Sequence, residues 1–147
     1  MSDRCTVAFT DGSKDDEGKV AGGWCGSRGG ECCERVGSVA TVWDGEAAGM
    51  KLALESLTAA PLLILSDSQA AIAAVRNAAE CGHAGTADLR GVVNMVDEWA
   101  SAGMDLHFGW VKAHVGIEGN GRADALAKMG CSVGGPHRVT ESGVRAL

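Results

Sequence analysis

Leu62-Leu63-Ile64-Leu65 is an unbroken apolar run, closed at once by Ser66-Asp67-Ser68. It is far too short to cross a bilayer, which takes roughly 20 apolar residues. Preceded by Pro61 and followed by turn residues, it predicts a short central strand buried on both faces. Such a strand needs one layer of structure above it and another below.

The neighbouring segments can supply both layers. Arg4 to Thr10 alternates, with Cys5, Val7 and Phe9 on one side and Thr6, Ala8 and Thr10 on the other, which predicts a first strand. Asp11-Gly12-Ser13 ends it with turn chemistry, and Lys14 to Lys19 is a charged tip. Val20 to Ser27 and Glu31 to Val39 predict two more strands, joined by a hairpin turn at Arg28-Gly29-Gly30. Helical spacing follows: Ala47, Met50, Leu54 and Leu57 recur at three- and four-residue intervals, with Glu46 at the start and Pro61 beyond the end. After the apolar run come a helix from Gln69 to about Ala78, a polar loop over Glu80 to Thr86, and a helix from about Ala87 to Ala102. Leu106 to Val111 predicts a fifth strand, Lys112 to Gly121 a glycine-rich loop, and Arg122 to Met129 a last short helix. The order β-β-β-α-β-α-α-β-α implies an α/β fold: a five-stranded mixed sheet, its first three strands antiparallel, flanked by helices in three layers. One domain is expected over residues 1–130, with a polar tail over 131–147.

The net charge is −6, which argues against nucleic-acid binding by charge alone. A nucleic-acid enzyme with this balance must offset its acids locally, and divalent cations are the obvious means. The six cysteines, at 5, 25, 32, 33, 81 and 131, show no metal-ligand spacing and read as free thiols of a reducing compartment. Met1 to Thr6 is polar and charged, unlike a secretory signal. An intracellular protein with no membrane span is the expectation.

Four acids hold special places in this plan. Asp11 ends the first strand, Glu46 opens the first helix, Asp67 follows the apolar run, and Asp124 lies in the first turn of the last helix. In open α/β sheets, ligands gather at strand ends where connections diverge. Carboxylates collected there repel one another unless cations bind, and oxygen-only ligation suits Mg²⁺ or Mn²⁺ better than Zn²⁺. Taken singly, Asp11, Glu46 and Asp124 also fit plain turn and helix-start roles. A calcium loop beginning at Asp11 fails, because Asp16 stands where it needs glycine and Gly22 where it needs glutamate.

Phe9-Thr10-Asp11-Gly12-Ser13 resembles the first-strand motif of type 1 ribonuclease H. Glu46-Ala47-Ala48 with Leu52-Ala53-Leu54 is similar to that family's glutamate-bearing helix, and Leu65-Ser66-Asp67-Ser68-Gln69-Ala70-Ala71 to its third motif. Trp110-Val111-Lys112-Ala113-His114, Gly119-Asn120 and Arg122-Ala123-Asp124-Ala125-Leu126-Ala127 look like its C-terminal motif. The order and spacing agree from about Arg4 to Met129, and the wording after His114 looks most like ribonuclease H domains of eukaryotic retroelements.

The resemblance implies a ribonuclease H-like fold and an endonuclease that hydrolyses the RNA strand of RNA–DNA hybrids, leaving 5′-phosphate and 3′-hydroxyl ends. Asp11, Glu46, Asp67 and Asp124 would bind two Mg²⁺ ions, for which Mn²⁺ can substitute, about 3.5–4 Å apart across the scissile phosphate. His114 would help proton movement or product release. Gly12, Ser13, Lys14, Gln69 and Asn120 would meet the substrate, and Thr41 would grip a DNA-strand phosphate. Lys14, Lys112 and Arg122 lie beside the motifs and are candidates for phosphate contacts.

Some positions depart from the family's pattern. Trp43 stands where many relatives carry asparagine, Gly121 where many carry glutamate, and Glu80 to Arg90 has no lysine cluster to serve as a basic handle. Weak hybrid binding is expected, as is a monomer whose grip is supplied by a reverse transcriptase domain in the same polyprotein or by a separate hybrid-binding module. The alternative is a catalytically weak or inactive nucleic-acid-binding connector domain of such a polyprotein.

Overall fold

A computed structural model describes residues 5–37, 40–81, 87–113 and 116–132. Strands β1 (Thr6–Lys14), β2 (Val20–Gly26) and β3 (Glu31–Gly37) are followed by helix α1 (Val42–Ser56), strand β4 (Leu62–Ser66), and helices α2 (Gln69–Cys81) and α3 (Ala87–Ser101). Strand β5 (Leu106–Trp110) and helix α4 (Glu118–Ser132) complete the order. The five strands form one sheet in the order β3-β2-β1-β4-β5. β1 runs antiparallel to β2 and parallel to β4, while β2–β3 is antiparallel and β4–β5 parallel. The mixed, three-layer architecture expected above is therefore present: α1, α2 and α3 pack together on one face, and α4 covers β1, β2 and β3 from the other.

Several details differ from the sequence reading. α1 already begins at Val42, so Glu46 lies in its second turn rather than opening the helix. β1 does not stop at Asp11 but stays paired with β2 as far as Lys14 opposite Val20, so Asp11 lies within the strand. β4 is buried on one face only: Leu62, Ile64 and Ser66 are buried, but Leu63 and Leu65 are half-buried, because α4 lies over the other half of the sheet. The central strand is β1, and the one buried on both faces is β2. Finally, α4 begins at Glu118, four residues before Arg122, so Asp124 sits in its second turn. The helix also runs to Ser132, with Cys131 buried; residues 133–147 lie outside the described residues.

Small residues in β2, Val20-Ala-Gly-Gly-Trp-Cys-Gly26, explain how two helices can close on it. A Cβ on Gly22 would run into the backbone of Gly45 and Gly49 in α1, and one on Gly23 would stand 2.8 Å from the Ala127 nitrogen of α4. The larger side chains form the core around Met50, Leu54, Leu62, Ile64, Val75, Val92 and Trp99, where β4 and the first three helices meet.

Glycine's helical cost makes this contact testable. A Gly→Ala change within a helix ordinarily stabilises by about 0.5–1 kcal/mol. At Gly49 the added Cβ would sit 2.8 Å from the Asp11 carbonyl oxygen and 2.9 Å from that of Gly23. Gly49→Ala should therefore destabilise by roughly 1–3 kcal/mol. Gly121→Ala in α4, with nothing within 4 Å of the new carbon, should stabilise by up to about 1 kcal/mol. Urea unfolding of the two variants checks this; shifts of the same sign would contradict the seating of α1.

Candidate active site

Three elements deliver three carboxylates to one place. β1 carries Asp11, α1 carries Glu46 in its second turn, and the turn between β4 and α2 carries Asp67. Each offers a carboxylate oxygen, and these oxygens all lie within 4.8 Å of one another. Asp11 and Glu46 are buried, at 5% and 8% exposure, and Asp67 is half-buried.

The close approach of helix to strand creates the pairing. A Cβ on Gly12 would collide with the Glu46 nitrogen and the Gly45 carbonyl carbon, so only glycine allows α1 to lie this near β1. The Gly12 N–H donates to Asp11 Oδ1 at 2.9 Å and orients that carboxylate. The start of α1 is held by its own cap: the Thr41 N–H and hydroxyl both donate to Asp44 Oδ2, at 2.7 and 2.9 Å, and Asp44 is buried. Beyond β4, the Ser68 N–H donates to Ser66 Oγ at 3.1 Å, and the Ala71 N–H donates to Ser68 Oγ at 3.1 Å, starting α2. The Trp110 indole N–H donates to the Asp67 carbonyl at 3.1 Å.

Burial and mutual repulsion both act on these acids. Asp11 is pushed up to about 7, chiefly by burial and then by the charge of Asp67; its bond from Gly12 opposes the shift. Glu46 is pushed up to about 9, again chiefly by burial and then by Asp11 and Asp67. Burial and the neighbouring acids thus favour a proton on the Asp11–Glu46 pair. Glu46 Oε2 is buried without a hydrogen-bond partner, which normally costs about 1–3 kcal/mol. An orphaned oxygen within a compact all-oxygen set fits a hard divalent cation, and Asp11, Glu46 and Asp67 are the residues that would hold it.

The other expected site residues fall around this cluster. Asp124 is half-buried on α4, near enough for its charge to raise Asp11, but it lies outside the three-acid cluster and pairs with Lys128 Nζ at 2.9 Å. Asn120 is in the first turn of α4, buried rather than on a loop. Ser13 is half-buried on β1, its carbonyl accepting from Cys131 Sγ at 3.6 Å, and Lys14 is exposed at the strand's end. Gln69 is exposed as the first residue of α2. Thr41 is half-buried at the N-cap. His114 lies outside the described residues. Lys112 is exposed, but Arg122 is engaged: its guanidinium forks onto Glu31, with Nε 3.1 Å from Oε1 and the second bond to Oε2, tying α4 to β3. A phosphate would have to displace Glu31 from this exposed fork to engage Arg122.

Three residues were missed in the sequence. Asp44 was legible from the Thr-x-x-Asp capping spacing, and Lys128 from its place four residues after Asp124. Trp110 carried no signal for its bond to Asp67, because sequence separation hides a contact between neighbouring strand ends.

A ribonuclease H family model matches residues 3–132. A search of curated proteins found no match. With that family match over most of its length, and with the fold and acids described, the chain belongs to the ribonuclease H family. The family's activity is nuclease action on RNA–DNA hybrids. Among the described residues, no helix is long and apolar enough to cross a membrane.

The acid pair predicts an unusual pH response for the metal-free protein. Both folded-state values lie above those of the unfolded chain, which are near 4. Such groups stabilise the fold fully at acid pH, and that contribution is lost as pH rises through the folded values. Metal-free stability should thus fall as pH rises from about 5 toward 9, and Mg²⁺ should restore more stability at the alkaline end. Chemical unfolding at several pH values, with Mg²⁺ or with EDTA, checks this. A metal-free stability that rises with pH over that range would show that the acids are not forced together.

Proposed function

We propose that the protein is a type 1 ribonuclease H of the kind carried by eukaryotic retroelements, hydrolysing the RNA strand of RNA–DNA hybrids to leave 5′-phosphate and 3′-hydroxyl ends. The observation that carries this is the cluster of Asp11, Glu46 and Asp67, gathered within 4.8 Å on the family's fold. Mg²⁺ or Mn²⁺ bound there, as a pair of ions, would supply the positive charge that activates water and steadies the departing 3′-oxygen.

The chain's own residues do the rest. Glu46 would hold the cation as a carboxylate alongside Asp11 and Asp67, and the Gly12 N–H keeps Asp11 turned toward the cluster. Asp124 would complete the metal-binding set, since its exposed ion pair with Lys128 is weak. Ser13 and Gln69, beside two of the carboxylates, reach the RNA strand's 2′-hydroxyls across the wide, shallow minor groove, while Asn120 supports the site from α4. Lys14 and Lys112 meet phosphates. At Thr41, a DNA-strand phosphate would take over the hydroxyl hydrogen bond now given to Asp44. His114 moves protons or loosens product. The protein acts as a monomer inside the cell, joined to a reverse transcriptase in one polyprotein. Its domain covers 1–130 together with the end of α4 at Cys131 and Ser132.

The deciding experiment offers labelled RNA–DNA hybrid, double-stranded RNA and single-stranded DNA, each with Mg²⁺ or with EDTA. Cleavage of the hybrid's RNA strand alone, only with Mg²⁺, and with 5′-phosphate ends, is the expected result. Asp67→Asn should lower turnover by several orders of magnitude. His114→Ala should slow it about 10²–10⁴-fold, the usual worth of acid–base help, and leave metal dependence intact. Cyclic phosphate ends or full activity in EDTA would reject the mechanism. A wild-type protein that binds hybrid without cutting it would favour the connector reading.

A further inference from the structure

Of the three clustered acids, Asp11 is fixed by a strand paired on both sides and Glu46 by a helix. Asp67 alone sits in a turn, between the end of β4 and the start of α2. Its place therefore depends on what holds the turn. Ser66 and Trp110 are register partners on the parallel strands β4 and β5. The Val111 N–H donates to the Ser66 carbonyl at 3.0 Å, continuing the ladder one step past β5. The Trp110 indole then reaches across to the next carbonyl, that of Asp67, at 3.1 Å. Two consecutive carbonyls of the turn are thus taken by two consecutive residues of the neighbouring chain segment.

Packing alone does not account for Trp110. The side chain is 48% exposed, so it forgoes much of the burial that usually fixes a tryptophan. The indole's donor edge is the end that is engaged, and its engagement is with the backbone of a clustered acid. We propose that Trp110 is a positioning residue for Asp67, its indole N–H setting the turn so that the Asp67 carboxylate faces Asp11 and Glu46 and can share a divalent cation with them. The inference rests on the reading of these acids as a cation site. Outer partners of ligand residues commonly govern affinity, since a ligand held out of place must be reoriented when the ion binds.

Trp110→Phe keeps a ring and removes the donor. The test titrates MnCl₂ into the metal-free full chain by calorimetry, alongside melting curves in EDTA and steady-state cleavage of hybrid. Mn²⁺ affinity should fall roughly 3- to 10-fold, the range for losing one hydrogen bond. Turnover should fall at low Mn²⁺ and recover at high Mn²⁺, with KM for hybrid unchanged. Phe108→Leu provides the stability control: Phe108 lies on the same strand, packs against the core, and makes no bond to Asp67 among those described. Weaker Mn²⁺ binding in Trp110→Phe than in Phe108→Leu supports the proposal, whatever the melting temperatures. Equal Mn²⁺ affinity in Trp110→Phe and wild type, or equal losses in both variants, overturns it. A wild-type protein that binds no Mn²⁺ would overturn the cation-site reading and this inference together.

Discussion

Helix α1 rides directly on the backbone of β1 and β2 because glycine stands on both sides of the contact. Gly12 and Gly22 face it from the sheet, and Gly45 and Gly49 from the helix; a Cβ on any of them would meet backbone atoms closer than ordinary packing allows. Interiors are packed closely enough that one added carbon is felt, so these positions set the distance between the layers. That distance decides the chemistry. Glu46 comes within proton-sharing reach of Asp11 only because the helix axis lies so low, and the same approach removes both carboxylates from water.

The outcome is a site whose metal-free state is under electrostatic stress. Two buried carboxyls and a third, half-buried one stand closer together than carboxylates tolerate when all are charged, and one buried oxygen of Glu46 has no donor. A protein can relieve such a cluster with a proton or with a cation. The fold provides for both: the Asp11–Glu46 pair can hold the proton, and the clustered carboxylate oxygens can hold the ion. Around the cluster, the Thr41–Asp44 cap, the Gly12 N–H and the Trp110 indole are the fixed points that keep it from relaxing apart.

Much of this was legible in the sequence, for identifiable reasons. Strand alternation and helical spacing are local, so the element order and the three-layer plan followed from them. The gathering of the acids rested on strand-end placement and the family resemblance, which also put Asp124 with the three that cluster. The errors came where local rules compete with pairing. Asp11-Gly12-Ser13 has turn chemistry, yet β2 pairs with it and carries β1 on to Lys14. Leu62 to Leu65 looks like the most enclosed strand, but the strand enclosed on both faces is β2, whose glycines hide it from any search for apolar runs. Gly119 and Gly121 mimic a loop, although α4 begins before them and uses the small residue at 119 to pass the Phe9 ring. Long-range polar contacts, Trp110 to Asp67 and Arg122 to Glu31, left no trace because nothing in spacing encodes them.

In the metal-free protein, a proton on the Asp11–Glu46 pair occupies the place a cation takes. Proton release on metal binding measures it directly. Calorimetric titration of Mg²⁺ into metal-free protein at pH 7.5, repeated in buffers of different ionisation enthalpy, gives the number of protons expelled per binding event. With burial and mutual repulsion holding a proton on the pair, the wild type should release about one proton and Glu46→Gln almost none. Mg²⁺ binding without proton release by the wild type would contradict it, since the two acids would then be fully charged and the enforced approach of α1 would have no electrostatic consequence.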